Sequence, residues 1–343
     1  MLLERLSDND VDVRRAAILA LGNLGKGHPE VEEALAKFKQ DTDPVTRLDA
    51  IVAMAELGKM DASTIPYLMN ALGSNKETTN RSAAKALRQY ADEKPQDIMP
   101  GLLENLDKKQ EPAAVNSLRV LRGMKAQAAE ALPRIAALYP SVTSNDKREV
   151  LDALTAIDAQ GDFAIPALQK ALKDTSPNDR REALLGLMRF RPKANLFMDS
   201  LIEAMKDEDL ENKLLAINII RGLGQQAANA LPAVTALTED KDPQVRGAAI
   251  NCLAGFGPSS EVIQALGRTV KDSNVRVRMV SVSVLTRLGQ SNPQLVIPVL
   301  QTALESEKHE PAKRSIKAAL DTLNKVSSAP ATPQSAVKDQ KHN

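Results

Sequence analysis

Aromatic residues are scarce in this chain. Of 343 residues only 2% are Phe, Tyr or Trp, and Trp is absent. That excludes a ligand pocket walled by large rings and leaves Ala, Leu, Ile, Val and Met to build the core, a set suited to closely packed helices. Cysteine is limited to Cys252, which excludes an intramolecular disulfide framework and a cysteine-based zinc site. No run of about 18 apolar residues occurs, and the opening Met-Leu-Leu-Glu-Arg-Leu lacks the features of a secretory signal. The expectation is a soluble, cytoplasmic chain, exported only if a signal was removed ahead of residue 1. Charge of one sign is also missing, with 45 Lys and Arg against 44 Asp and Glu. Bulk affinity for nucleic acid is therefore not expected, and any electrostatic function rests on where the charges sit. The histidines, His28, His309 and His342, are scattered and assemble neither a metal cluster nor a catalytic pair.

What the chain does have is a repeat. The segments VRRAAILALGNLG from Val13, TRLDAIVAMAELG from Thr46, VRGAAINCLAGFG from Val245 and VRMVSVSVLTRLG from Val277 superpose without gaps. With their second residue as a register mark, the marks fall at Arg14, Arg47, Asn80, Ala114, Lys147, Arg180, Lys213, Arg246, Arg278 and Lys313, in steps of 32 to 35 residues. A fixed period of that size signals stacked helical units. Three residues past the marks stand Ala17, Ala50, Ala83, Ser117, Val150, Ala183, Ala216, Ala249, Ser281 and Ile316. Seven and ten past the mark the column is again apolar, from Leu21 and Leu24 to Leu320 and Leu323. Offsets of three, seven and ten share one helical face, so they predict the core stripe of the second helix in each unit.

The first helix is marked by apolar spacings such as Ile65, Leu68, Leu72 and Ile165, Leu168, Leu172. Pro66, Pro100, Pro133, Pro166 and Pro232 stand 14 residues before their marks, where a first-turn position without an N–H is tolerated. Gly25, Gly58, Gly257 and Gly289 are expected to close second helices as left-handed caps, and turns such as Asp43-Pro44 and Asp242-Pro243 to cap the helix that follows.

These features resemble the HEAT repeat family, in particular the short bacterial HEAT-like subtype that includes the phycobilin-lyase repeats. The Asp-Pro-x-Val-Arg turn at Asp242, Pro243, Val245 and Arg246 carries the likeness most specifically. The resemblance implies an all-α, armadillo-type fold, a right-handed α-solenoid of about ten helix pairs over residues 1–326. It also implies that the basic residue at the mark braces a turn Asp of its own or a neighbouring repeat. The first repeat begins 13 residues before its mark, which reads as a repeat cut short within a longer protein. The Pro/Ser/Ala-rich segment 327–343 has no periodicity and reads as a disordered tail.

Chemistry-bearing motifs are few. Gly22, Gly25 and Gly27 imitate a phosphate loop, but they end a helix where that motif requires a strand before it. Cys252 lies beside the core stripe and reads as packing; Glu32 and Glu33 lie on a polar face. No residue qualifies as catalytic, cofactor-binding or metal-ligating. One surface stands out. Offsets one, five and eight share a face well away from the core, and over repeats three to seven they hold Arg81, Lys85, Arg88, Arg119, Arg122, Arg148, Arg181 and Arg221 against a single acid, Asp152. This face is expected to line the concave side of the array and to bind a protein partner with an acidic segment, in a non-catalytic scaffold without cofactor. Two other classes compete. A bilin lyase or isomerase follows only from the repeat subtype, and a HEAT-like nucleic-acid-binding protein would need stacking aromatics that the chain lacks.

Overall fold

The computed structural model describes residues 1–109 and 112–328. Its residues divide into two compact units, 1–190 and 191–343; 329–343, with most of the expected tail, lie outside the described residues. Two tail residues, Ser327 and Ser328, belong to the last helix, Glu310–Ser328. The described residues form an all-α solenoid of consecutive helix pairs.

In the first unit the second helices are Val11–Leu24, Pro44–Glu56, Glu77–Ala91, Pro112–Met124, Ser144–Ile157 and Pro177–Leu187, each packed beside the next. Their first helices are Leu2–Arg5, Pro29–Phe38, Ile65–Leu72, Pro95–Asp107, Leu132–Leu138 and Ala164–Ala171. In the second unit the pairs are Met198–Ala204 with Leu210–Leu223, Leu231–Ala236 with Pro243–Leu253, Ser260–Thr269 with Val275–Gly289, and Pro293–Ser306 with Glu310–Ser328.

The three expected core columns are buried with one exception: Leu24 is 71% exposed. Its repeat has a first helix of only four residues, Leu2–Arg5. In an antiparallel pair the opening turns of the first helix cover the end of the second, so a four-residue helix leaves that end bare. Where the first column carries serine, the partner helix answers it. Ser117 Oγ accepts from Asn105 Nδ2 at 3.2 Å, and Ser281 Oγ donates to Thr269 Oγ1 at 2.8 Å. All four residues are buried, where an unmade hydrogen bond costs about 1–3 kcal/mol.

Two local expectations need correction. Pro100 is not in a first turn; its helix opens a turn earlier, at Pro95, and Pro100 lies in the interior. Of the four cap glycines only Gly58 and Gly257 have positive φ. Gly25 (φ −89°) is required for space instead, since a Cβ there would stand 2.6 Å from Val31 Cγ1.

The turns between first and second helices share one bonding scheme. The residue six before the mark accepts the N–H of the residue two further on: Asp8 from Asp10 at 3.0 Å, Asp41 from Asp43 at 2.8 Å, Asp240 from Asp242 at 2.9 Å, Asp272 from Asn274 at 2.8 Å. The residue four before the mark then caps the second helix, as Asp43 does for Thr46 N at 2.7 Å and Asp242 for Gln244 N at 2.7 Å. The mark cation closes the arrangement. Arg246 Nη1 donates to the carbonyls of Asp240 (2.8 Å) and Lys241 (3.2 Å), and Arg14, Arg47, Arg180 and Arg278 do the same in their own turns. Several marks also reach a turn carboxylate of the following repeat. Arg246 clasps Asp272 through two bonds of 2.7 and 2.8 Å, Arg278 clasps Glu307 at 2.7 and 3.0 Å, Lys147 meets Asp174 at 2.6 Å and Lys213 meets Asp240 at 3.3 Å.

Burial pushes the Asp272 carboxyl up, but the Arg246 hydrogen bond, the Asn274 amide and the charges of Arg246 and Arg278 together outweigh it, so its pKa falls below the ordinary value. A depressed folded pKa contributes stability above the unfolded value of about 3.9 and loses it as pH falls through the folded value. Asp272→Asn is therefore expected to cost about 2 kcal/mol at pH 7 and less at pH 3, below the unfolded value, read by urea unfolding at both pH values. An equal loss at both would refute the charged clasp.

Candidate partner-binding surface

The basic face named from the sequence divides between the units, with Arg81, Lys85, Arg88, Arg119, Arg122, Arg148 and Arg181 on second helices of the first and Arg221 on the second. Arg119 and Arg122 are half-buried and the rest exposed. In the first unit the side-by-side packing of second helices lays these residues along one continuous surface.

That surface is less one-sided than a single-helix wheel shows. Lys85 Nζ meets Glu56 at 2.7 Å on the preceding second helix. Arg122 meets both Glu149 (3.3 Å) and Asp152 (3.5 Å), Arg119 meets Glu149 at 3.8 Å, and Arg148 meets Glu182 at 3.8 Å and Asp152 at 3.9 Å. Arg81 bonds Glu77 one turn back on its own helix. Glu149 and Glu182 stand two residues past their marks, as does Asp49, which takes Arg15 at 2.7 Å. These acids were legible one step round the wheel from the basic columns, and the reading that stopped at offsets one, five and eight missed them.

Arg88 and Arg181 ion-pair with no carboxylate among the described residues. Arg88 lies across the next second helix at Gly123, where a Cβ would stand 2.4 Å from its Cδ; any larger residue would displace it. Arg189 is likewise exposed without an ion pair. Its side chain joins Leu151, Thr155, Glu182 and Leu185 around a hollow between the second helices of repeats five and six. The result is a braced row of cations with open guanidiniums at intervals, which suits bidentate recognition of carboxylates.

Three comparisons bear on this geometry. The family model for HEAT repeats matches residues 1–88, 198–286 and 231–321. The chain belongs to the HEAT repeat family. No curated protein sequence matches it. Among solved structures it is similar to Kap121p bound to RanGTP, with 14% identity and a TM-score of 0.58, over 95% of this chain and 41% of that one. It is also similar to Kap95p in complex with RanGDP, with 12% identity and a TM-score of 0.53, over 95% and 51%. This HEAT-repeat chain thus spans about half or less of those karyopherins, and the likeness concerns the fold.

The remaining candidates resolve into structure. No group of three or more His, Cys, Asp or Glu suited to a metal occurs among the described residues, and no described helix is long and apolar enough to cross a membrane. Gly22 does not end its helix; it is buried inside Val11–Leu24, where a Cβ would stand 2.6 Å from Ala53 Cα. Glu32 and Glu33 pair with Lys59 at 3.2 Å and Lys37 at 3.7 Å. His309 sits at a cap position and its Nδ1 accepts from Ala312 N at 3.4 Å; His28 is exposed beside Glu30; His342 lies outside the described residues.

Cys252 is fully buried, and burial pushes its thiol up to about 12, a shift that the charge of Arg221 opposes only in part. A protonated, covered thiol does not attack. Its reaction with a disulfide reagent at pH 8 is expected to be at least about a hundredfold slower in the native protein than in denaturant; comparable rates would place the thiol at the surface.

Proposed function

We propose that this protein is a non-catalytic binding scaffold that captures an acidic protein segment along the second-helix face of its first unit. The observation that carries this is the pair of open guanidiniums, Arg88 and Arg181, on a face where Arg81, Lys85, Arg119, Arg122 and Arg148 are already braced. Braced cations stay in place and lose little freedom on binding, while the open ones supply donor forks to a partner's carboxylates. Arg221 adds a further exposed guanidinium in the second unit. Kap121p binds the extreme C-terminus of the protein phosphatase Cdc14p and Kap95p binds RanGDP, which agrees with a protein-binding role for a similar helical array. The shortage of aromatics weighs against a linear tetrapyrrole and against a flipped base alike.

The test is fluorescence anisotropy of a labelled Glu-rich peptide with the intact chain. Arg88→Glu with Arg181→Glu is expected to weaken binding about tenfold or more with helicity unchanged by circular dichroism, and the wild-type affinity to fall as salt rises. Equal affinity in the double variant would sink the proposal.

A further inference from the structure

In the first unit one turn keeps its bonds through neutral groups, with Ser74 Oγ accepting Lys76 N–H at 3.1 Å and Asn80 Nδ2 donating to Ser74 O at 3.1 Å, but loses its charges. Where the mark cation finds a turn carboxylate in the next repeat, the pairs are Lys147 with Asp174, Lys213 with Asp240, Arg246 with Asp272 and Arg278 with Glu307. For Arg47 the same position holds Ser74. The cap position two residues on, an acid at Asp10, Asp43, Asp209 and Asp242, holds Lys76, and the helix it opens, Glu77–Ala91, has no side-chain cap. This turn therefore carries a hydroxyl and a cation where the turns at Asp41/Asp43 and Asp240/Asp242 carry two acids.

Arg47 is ordered nonetheless. Its Nε donates to Asp41 O at 2.9 Å and its Nη2 lies 3.4 Å from Thr42 O, while the guanidinium carbon sits 5.6 Å from the centre of the Tyr67 ring. It ion-pairs with no carboxylate among the described residues. The neighbouring acids are engaged elsewhere: Glu77 bonds Arg81, and Asp43 holds the amide and hydroxyl of Thr46. Tyr67 is 48% exposed, whereas Tyr90 and Tyr139 are buried. Beside Arg47 and Tyr67 opens a cleft of about 530 Å³, lined also by Asn70, Ser74, Lys76 and Thr79.

We propose that this cleft binds one carboxylate of a partner polypeptide, an Asp or Glu side chain that occupies the place of the missing turn acid. The Arg246–Asp272 clasp shows, in the same register of the same chain, what a guanidinium at this position holds. Lys76 adds a second positive charge, the Asn70, Ser74 and Thr79 side chains supply neutral donors, and the Tyr67 ring offers an apolar wall to the methylenes and backbone that carry the acid. The cleft lies on the turns, away from the second-helix face of Arg88 and Arg181, and does not depend on that face.

Tyr67 is its own reporter. The full chain labelled with 3-fluorotyrosine gives three ¹⁹F resonances, assignable by single Tyr→Phe variants. Titration with a blocked Gly-Glu-Gly peptide is expected to move the Tyr67 resonance saturably and leave the other two in place, with no response to Gly-Gln-Gly. Ser74→Asp supplies the acid within the chain and is expected to abolish the shift while raising the melting temperature; Arg47→Gln should weaken binding about tenfold or more. An unmoved Tyr67 resonance, an equal response to the Gln peptide, or a shift that survives Ser74→Asp would overturn the proposal. Tighter binding of inorganic phosphate than of the Glu peptide would overturn the carboxylate assignment in favour of a free oxyanion.

Discussion

A cation at the start of eight of the ten second helices, which as arginine reaches back to the carbonyls of its own turn, is the contact on which the rest of this structure depends. Helix ends leave unpaired carbonyls on one side of a turn and unpaired amides on the other. Here the arginine answers the carbonyls, the turn acid answers the turn amide, and the capping side chain answers the helix amides. Where the cation also clasps the next turn, as Arg246 and Arg278 do, the same residue fixes the spacing between successive repeats. The apolar columns then need only be small and regular. Alanine in the innermost column lets neighbouring helices approach closely, and leucine in the next column fills the space between them.

Much of this was legible in the amino-acid order because it is local and repeated. The core columns recur every 32 to 35 residues and the cation returns at eight of the ten marks, with Asp-Pro caps at Asp43-Pro44 and Asp242-Pro243, and repetition separates them from chance. Positions where a repeat departs from its siblings were harder to read. Pro100 fits a first-turn column by spacing, but Pro95 upstream provides an earlier start. Gly25 fits a cap column, yet its small size serves Val31 rather than a left-handed backbone. Leu24 fits the core column and is exposed because what would cover it is a helix of four residues.

The basic face was legible as a set of residues but not as an electrostatic surface. A helical wheel shows the neighbours along one helix; the carboxylates that engage Lys85, Arg119 and Arg122 come from the adjacent helices, tens of residues away in sequence. The packing of second helices side by side converts two adjacent columns of opposite sign into cross-helix pairs. Exposed pairs of this kind contribute little stability individually, commonly less than about 1 kcal/mol. Their effect is positional: they hold long side chains still and single out the guanidiniums that have no pair.

The buried serines lead to a different kind of constraint. Ser117 and Ser281 occupy a column otherwise filled by Ala, Val or Ile, and each is matched by a polar residue, Asn105 or Thr269, on the first helix of its own pair. At the same register the other first helices carry Phe38, Ala71, Leu138, Ala171, Ala204 and Leu304, or Arg5 at the short opening helix, and Leu237 follows directly on the end of Leu231–Ala236. The two helices of such a repeat are keyed to each other. A duplication or exchange that moved one helix without its mate would leave a polar group stranded in an apolar interior, so the unit of inheritance in this array is the whole pair, and its boundaries fall in the loops between pairs.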